Sequence, residues 1–194
     1  VALASANRIM HDRINHDLMV TGVELIDPTS TYIDKTVKIA ADTVIEGGVT
    51  ILGDTVIGTR NLITQGSRIE NSITGDSNVI TASNLESARL ANGVTIGPYA
   101  HLRPQADLAD NVNVGNFVEV KDAKLGRGTK SGHLTYIGNA TVGEDVNIGA
   151  GTVFVNYDGV NKFYTSVGNH AFIGSNTKIV APVTIADEAI TAAG

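Results

Sequence analysis

Two basic residues, Arg103 and Lys121, stand 18 positions apart. In a chain that coils once every 18 residues, their side chains would lie one above the other at strand spacing, about 4.8 Å. Stacked cations repel unless they splay into solvent or share an anion such as a phosphate. Both outcomes fit the spacing. Further on, His133 lies in the run SGHLTYIG, with Tyr136 three residues later. It is the histidine best placed for proton transfer, because imidazole is the side chain that exchanges protons near neutrality. Lys162 and the turn Asn156-Tyr157-Asp158-Gly159 lie in a neighbouring irregular stretch. Asp-Gly there marks a plain turn as readily as a binding loop. Tyr136 and Tyr157 read equally well as packing residues, and Asn147 and Ala150, in NIGAG, as ordinary repeat positions.

Other chemistries are poorly served. With no cysteine there is no disulfide, thiolate metal site or Cys nucleophile. His101, His133 and His170 are the histidines available to a shared metal, but no two stand at short ligand spacing. No P-loop, dinucleotide-binding glycine motif or triad signature is present.

The elements that must hold these residues are set by a period of six. Isoleucines stand at 33, 39, 45, 51, 57, 63 and 69, the mark of a hexapeptide-repeat parallel β-helix. A second run comprises Ile96, Leu102, Leu108, Val114 and Val120, and a third Val167, Ile173, Ile179 and Ile185. Four residues after each aliphatic comes a small or β-branched one, as at Val37, Thr43, Val49 and Thr55, then Ala100, Ala106, Val112 and Val118. Both sets are expected to fill a narrow core that only stacked coils can bury. Residues 68 to 95 keep the repeat less cleanly, through Ile73, Val79 and Leu85. The register breaks at Leu125 and before Val142, and residues 151 to 166 are expected to leave the repeat as a loop. Ahead of the repeat, Leu3, Ala6, Met10, Ile14 and Leu18 predict an amphipathic helix ending before Gly22. Asp27-Pro28 then starts an extended lead-in.

Aromatic residues are 5% of the chain and tryptophan is absent, which suits a thin aliphatic core. A net charge of -6 disfavours nucleic-acid and membrane-surface roles. No apolar run has transmembrane length and no signal peptide is recognisable. The expected location is cytoplasmic. The chain, beginning at Val1 and stopping at Gly194 in mid-repeat, reads as an internal piece of a longer polypeptide.

From Gly97 to Phe163 the motifs LRP, GNFVE, GHLTYIG, NIGAG and NYDG follow in order. This stretch closely resembles the acetyltransferase domain of the bifunctional bacterial N-acetylglucosamine-1-phosphate uridyltransferase/glucosamine-1-phosphate acetyltransferases. HDRINHDLMVTGVELIDPTSTYID resembles their linker helix and the approach to the β-helix. Ser131 and Phe154 are small departures. The resemblance implies an all-β fold, a left-handed parallel β-helix with a short N-terminal linker helix. That hand departs from the usual crossover rule and is not readable from spacing. Residues 1–28 would be linker and lead-in, and 29–194 the acetyltransferase domain without its C-terminal tail. The nucleotidyltransferase domain, to which any Mg2+ would belong, is absent.

By the same resemblance, Arg103 and Lys121 hold the phosphate of glucosamine 1-phosphate. Tyr136, Asn147 and Lys162 complete the sugar site. His133 is the general base, and Glu119 holds the amine or orients the base. Ala150, Asn156, Tyr157, Ser175 and Ala193 line the acetyl-CoA site. No metal is implied in this domain, and the assembly is a homotrimer with sites between subunits. The implied activity supplies UDP-N-acetylglucosamine for cell-wall precursors. Two other readings remain open: a metal-dependent hydratase, and a non-catalytic oligomerisation module of a nucleotidyltransferase.

Overall fold

The computed structural model describes residues Val1–Gly194, with one helix, α1 (Ala2–Val20), followed by short parallel strands wound into about nine turns of a three-sided solenoid. One side is a nine-stranded parallel sheet; the other two join into a 16-stranded sheet, because the long strands Glu119–Leu125 and Tyr136–Val142 run on through a corner. The period of six arises because each side contributes one inward aliphatic. Ile33 pairs with Ile51 and Ile51 with Ile69; Ile39 pairs with Ile57, and Ile45 with Ile63. All seven isoleucines are buried, as are Val37, Thr43, Val49 and Thr55. Truncating a fully buried member such as Ile51 to Ala would cost about 2–5 kcal/mol.

The frame slip between the runs has a simple cause. Ile57 pairs with Thr74 and Ile63 with Ile80, so this coil is one residue short of 18, and the next is two short, because Ile69 pairs with Leu85 and Ile80 with Ile96. Thr74 and Ile80 therefore take the core positions, whereas Ile73 is 40% exposed and Val79 only half-buried, contrary to the sequence expectation. Later coils are again one residue short, as where Val120 pairs with Ile137 and Leu125 with Val142. The irregular stretch is also narrower than predicted. Val153–Val155 stays in the ladder and Phe154 is fully buried, so the excursion runs only from 156 to 164. There, Tyr157 and Lys162 form an antiparallel bridge, and Asp158 Oδ1 accepts from the backbone N–H groups of Val160 and Asn161.

Helix α1 is where predicted, but its contact face is rotated. Ile14 and Leu18 pack on the core; Leu3 and Met10 are exposed, and His11 and Asn15 are buried instead. The reason is polar. Asn15 Nδ2 donates to the carbonyls of Pro28 (2.8 Å) and Thr31 (3.0 Å), and Arg8 to that of Thr29 (3.3 Å). The helix thereby takes up free carbonyls of the first coil. No helix is long and apolar enough to cross a membrane.

Candidate active site

Arg103 and Lys121 do stack. Leu102 pairs with Val120, and Arg103 N–H donates to Val120 O, which sets the two side chains on adjacent rungs. Arg103 also bonds Glu119 Oε1 at 2.8 Å, and this contact holds the guanidinium pKa above its usual value. Lys162, reaching over from the excursion, lies against Lys121. Their repulsion, with burial and the charge of Arg103, lowers the Lys121 pKa. Tyr136 follows Glu119 on the next rung. Its phenol lies over Gly138, the rung above Lys121, where any Cβ would overlap the ring. The result is three cations and a phenol around one outward-facing spot. Just below, His101 Nε2 contacts Glu86 Oε1 at 3.2 Å; Asn84 and His101 hold the Glu86 carboxyl below its ordinary range.

A polar ladder holds the excursion in place. Asn156 Nδ2 donates to Asn139 Oδ1 (2.6 Å), and Asn139 Nδ2 to Asp122 Oδ2 (2.6 Å). Tyr164 O–H donates to the same Asp122 oxygen (2.6 Å), which raises the phenol's pKa. Asp122 and Asn139 sit at a corner with φ of 45° and 49°, the left-handed region that Asn and Asp tolerate best.

His133 lies on the other flank of a corner. It ends the strand Lys130–His133, and Asn116 is its register partner, with His133 Nδ1 and Asn116 Oδ1 2.7 Å apart. Continuing up this flank, Ala150, Ser175 and Ala193 take successive rungs, tracked by Gly151 N–H to Leu134 O, Asn176 N–H to Ala150 O and Gly194 N–H to Ser175 O. Asn147 is exposed on the rung above Lys130, three residues before Ala150. Between the flanks the corner itself projects as Tyr99, Phe117 and Leu134. All three are exposed at positive φ, and the first two rings stack with centroids 5.5 Å apart.

The predicted residues thus divide into two groups. Arg103, Lys121, Glu119, Tyr136, Asn156, Tyr157 and Lys162 occupy one flank; His133, Asn147, Ala150, Ser175 and Ala193 occupy the other. Glu119 contacts Arg103, and it is Asn116 that meets the imidazole. Asn156 joins the polar ladder beside Tyr136, not the column of Ala150. Sequence reasoning missed Asn116, Asp122, Asn139 and Tyr164. Asp122, Asn139 and Asn156 recur every 17 residues, a signal hidden by the assumption of 18-residue coils throughout. His101, His133 and His170 have separate partners, the last 3.9 Å from Asp145. No three metal-binding side chains converge within the chain.

The molecule is a hexapeptide-repeat left-handed parallel β-helix. Solved structures share that fold. The UDP-N-acetylglucosamine acyltransferase of Campylobacter jejuni superposes with a TM-score of 0.56 at 17% identity, over 77% of this chain and 65% of that one. That of Francisella novicida gives 0.53 at 15% identity, over 78% and 61%. No protein-family model matches. Among curated sequences, the bifunctional protein GlmU of Streptococcus mutans is 58% identical over 194 residues, covering 100% of this chain and 42% of that protein. GlmU of Enterococcus faecalis is 59% identical over 185 residues, covering 95% and 40%. The chain is therefore homologous, over its whole length, to a segment of the bifunctional GlmU proteins, and it spans about two-fifths of their length.

Proposed function

We propose that this chain transfers an acetyl group from acetyl-CoA to the 2-amino group of glucosamine 1-phosphate. The product, N-acetylglucosamine 1-phosphate, would feed UDP-N-acetylglucosamine and cell-wall precursor synthesis in the cytoplasm. The observation that carries this reading is the convergence of Arg103, Lys121 and Lys162 on one surface spot. Like charges so gathered are unfavourable until a dianion neutralises them. A sugar phosphate seated there would place its ring against Tyr136.

The column Ala150, Ser175, Ala193 leads away from His133 and suits an extended acyl carrier. The amine lone pair attacks the thioester carbonyl, forming the C–N bond and a tetrahedral oxyanion, which re-forms the carbonyl as the C–S bond breaks. The amine proton passes to His133, and CoA leaves as the thiolate. A backbone N–H near Tyr157 or the Ser175 hydroxyl would face the developing oxyanion, a contribution of about 3 kcal/mol per donor. No acyl-enzyme is required.

The two groups lie on opposite flanks of the Tyr99–Phe117–Leu134 corner. One chain's base therefore serves a cation cluster best when a neighbouring chain closes the site, and we propose a homotrimer. Residues 29–194 would form the acetyltransferase portion and 1–28 the linker to a nucleotidyltransferase portion.

Thiol release from acetyl-CoA, followed colorimetrically, tests the reading. Release that requires glucosamine 1-phosphate and is absent with glucosamine is expected. A trimeric protein releasing no thiol with both substrates present would leave the oligomerisation module as the better account.

A further inference from the structure

We propose that Asn116 is the positioning residue for the base, fixing the imidazole of His133 in the tautomer that can accept a proton; this rests on the acetyl-transfer reading above. The 2.7 Å contact between His133 Nδ1 and Asn116 Oδ1 is the only side-chain hydrogen bond His133 makes within the chain. An amide oxygen can only accept, so Nδ1 must carry the hydrogen. Nε2 is then left with its lone pair, directed away from Asn116. In the other tautomer Nε2 would bear the hydrogen and could take no proton from the substrate ammonium. A neutral amide also orients the ring without adding a charge that would favour the imidazolium.

The backbone makes this contact durable. Asn116 and His133 are register partners on neighbouring strands, Asn113–Asn116 and Lys130–His133. The preceding residues are Gly115 and Gly132, and a Cβ on Gly115 would overlap the Gly132 carbonyl. Glycine at 115 thus allows the close approach that keeps the pair in reach. The flanking strands Asn113–Asn116 and Asn147–Ile148 carry no titratable side chain, and Lys130 is the only other charged group on the histidine's own strand. A change in the ring's titration on substituting Asn116 is therefore attributable to that residue.

Nitrogen-15 spectra of the histidine rings, assigned by the signal lost in His133→Gln, read the tautomer directly and need no turnover. The wild-type protein should show His133 protonated at Nδ1. Asn116→Ala should shift the ring toward the Nε2–H form and lower kcat by about 10- to 100-fold, as for other partners that orient a reacting histidine, with both KM values within about twofold. Asn116→Asp should keep the Nδ1–H tautomer, move the ring's titration midpoint up by about one pH unit, displace the acid limb of kcat equally, and recover most of the rate above it. Asn116 is half-buried at the surface, so circular dichroism and sedimentation should match wild type. The proposal is overturned if Asn116→Ala leaves tautomer and kcat unchanged, or if Asn116→Asp leaves the midpoint in place. Wild-type turnover in His133→Gln would instead remove the base reading, whatever Asn116 does to the ring.

Discussion

The phenol of Tyr164 and the carboxylate of Asp122 are joined by a 2.6 Å hydrogen bond that crosses from the excursion to the coil. Lys162 is two residues before one partner, and Lys121 is the immediate neighbour of the other. The bond therefore holds together two lysines that repel each other. Tyr164→Phe should loosen the excursion. We expect KM for glucosamine 1-phosphate to rise about fivefold, equivalent to a hydrogen bond of about 1 kcal/mol, with KM for acetyl-CoA unchanged. Equal effects on both substrates would show that the bond serves something other than Lys162.

Arg103→Ala and Lys121→Ala should each weaken sugar-phosphate use by about 10- to 100-fold, from loss of a charge-assisted bond of about 1.5–3 kcal/mol. Because Lys121 gives up its proton more readily than a free lysine, affinity for the phosphate should begin to fall at a lower alkaline pH than an ordinary ammonium would dictate. Lys162→Met, by removing the first cause of that shift, should move the fall to higher pH. A pH profile indifferent to Lys162 would dissociate the two lysines.

His133→Ala should leave the fold intact, since the side chain is exposed and outside the aliphatic core. Substrate binding should persist while kcat falls by roughly 10²- to 10⁴-fold, the usual share of a general base. Near-normal turnover in a folded mutant would send the search to Glu119 or to a neighbouring subunit.

His11 predicts a pH effect on stability. It is 8% exposed, its two ring nitrogens have no partner, and its ring packs at a tilt of 33° against Tyr32 with centroids 4.3 Å apart. Burial, aided by Arg8 and opposed by Asp12, lowers its pKa below 6.5. The folded protein thus holds the ring neutral while the unfolded chain takes a proton below pH about 6.5. Stability should fall as pH drops through that value and level off below the folded pKa. His11→Phe keeps an aromatic ring against Tyr32 and removes both unpartnered nitrogens. Its Tm advantage over wild type should grow between pH 7.5 and 5.5, and a constant gap would exclude His11 as the titrating group.

The legible part of this molecule was whatever repeats. Ile33 to Ile69 announced the coil, and Arg103 with Lys121 announced a shared face, because both follow from register alone. Ile73 and Val79 fall outside the core that periodicity assigns them, because one missing residue hands those positions to Thr74 and Ile80. The rotated face of α1 was hidden because Asn15 is buried by the carbonyls of a loop, a demand that apolar periodicity does not express. Asn116 escaped notice because its role exists only across the ladder from His133.

Those same carbonyls have a further meaning. A solenoid of parallel strands ends in an unpaired edge, and an unpaired edge is a template on which another strand can add. With Pro28, Thr29 and Thr31, in the turn between the first two strands, already accepting from Asn15 and Arg8, α1 works as a partial stopper, leaving fewer free carbonyls at this end for an incoming strand.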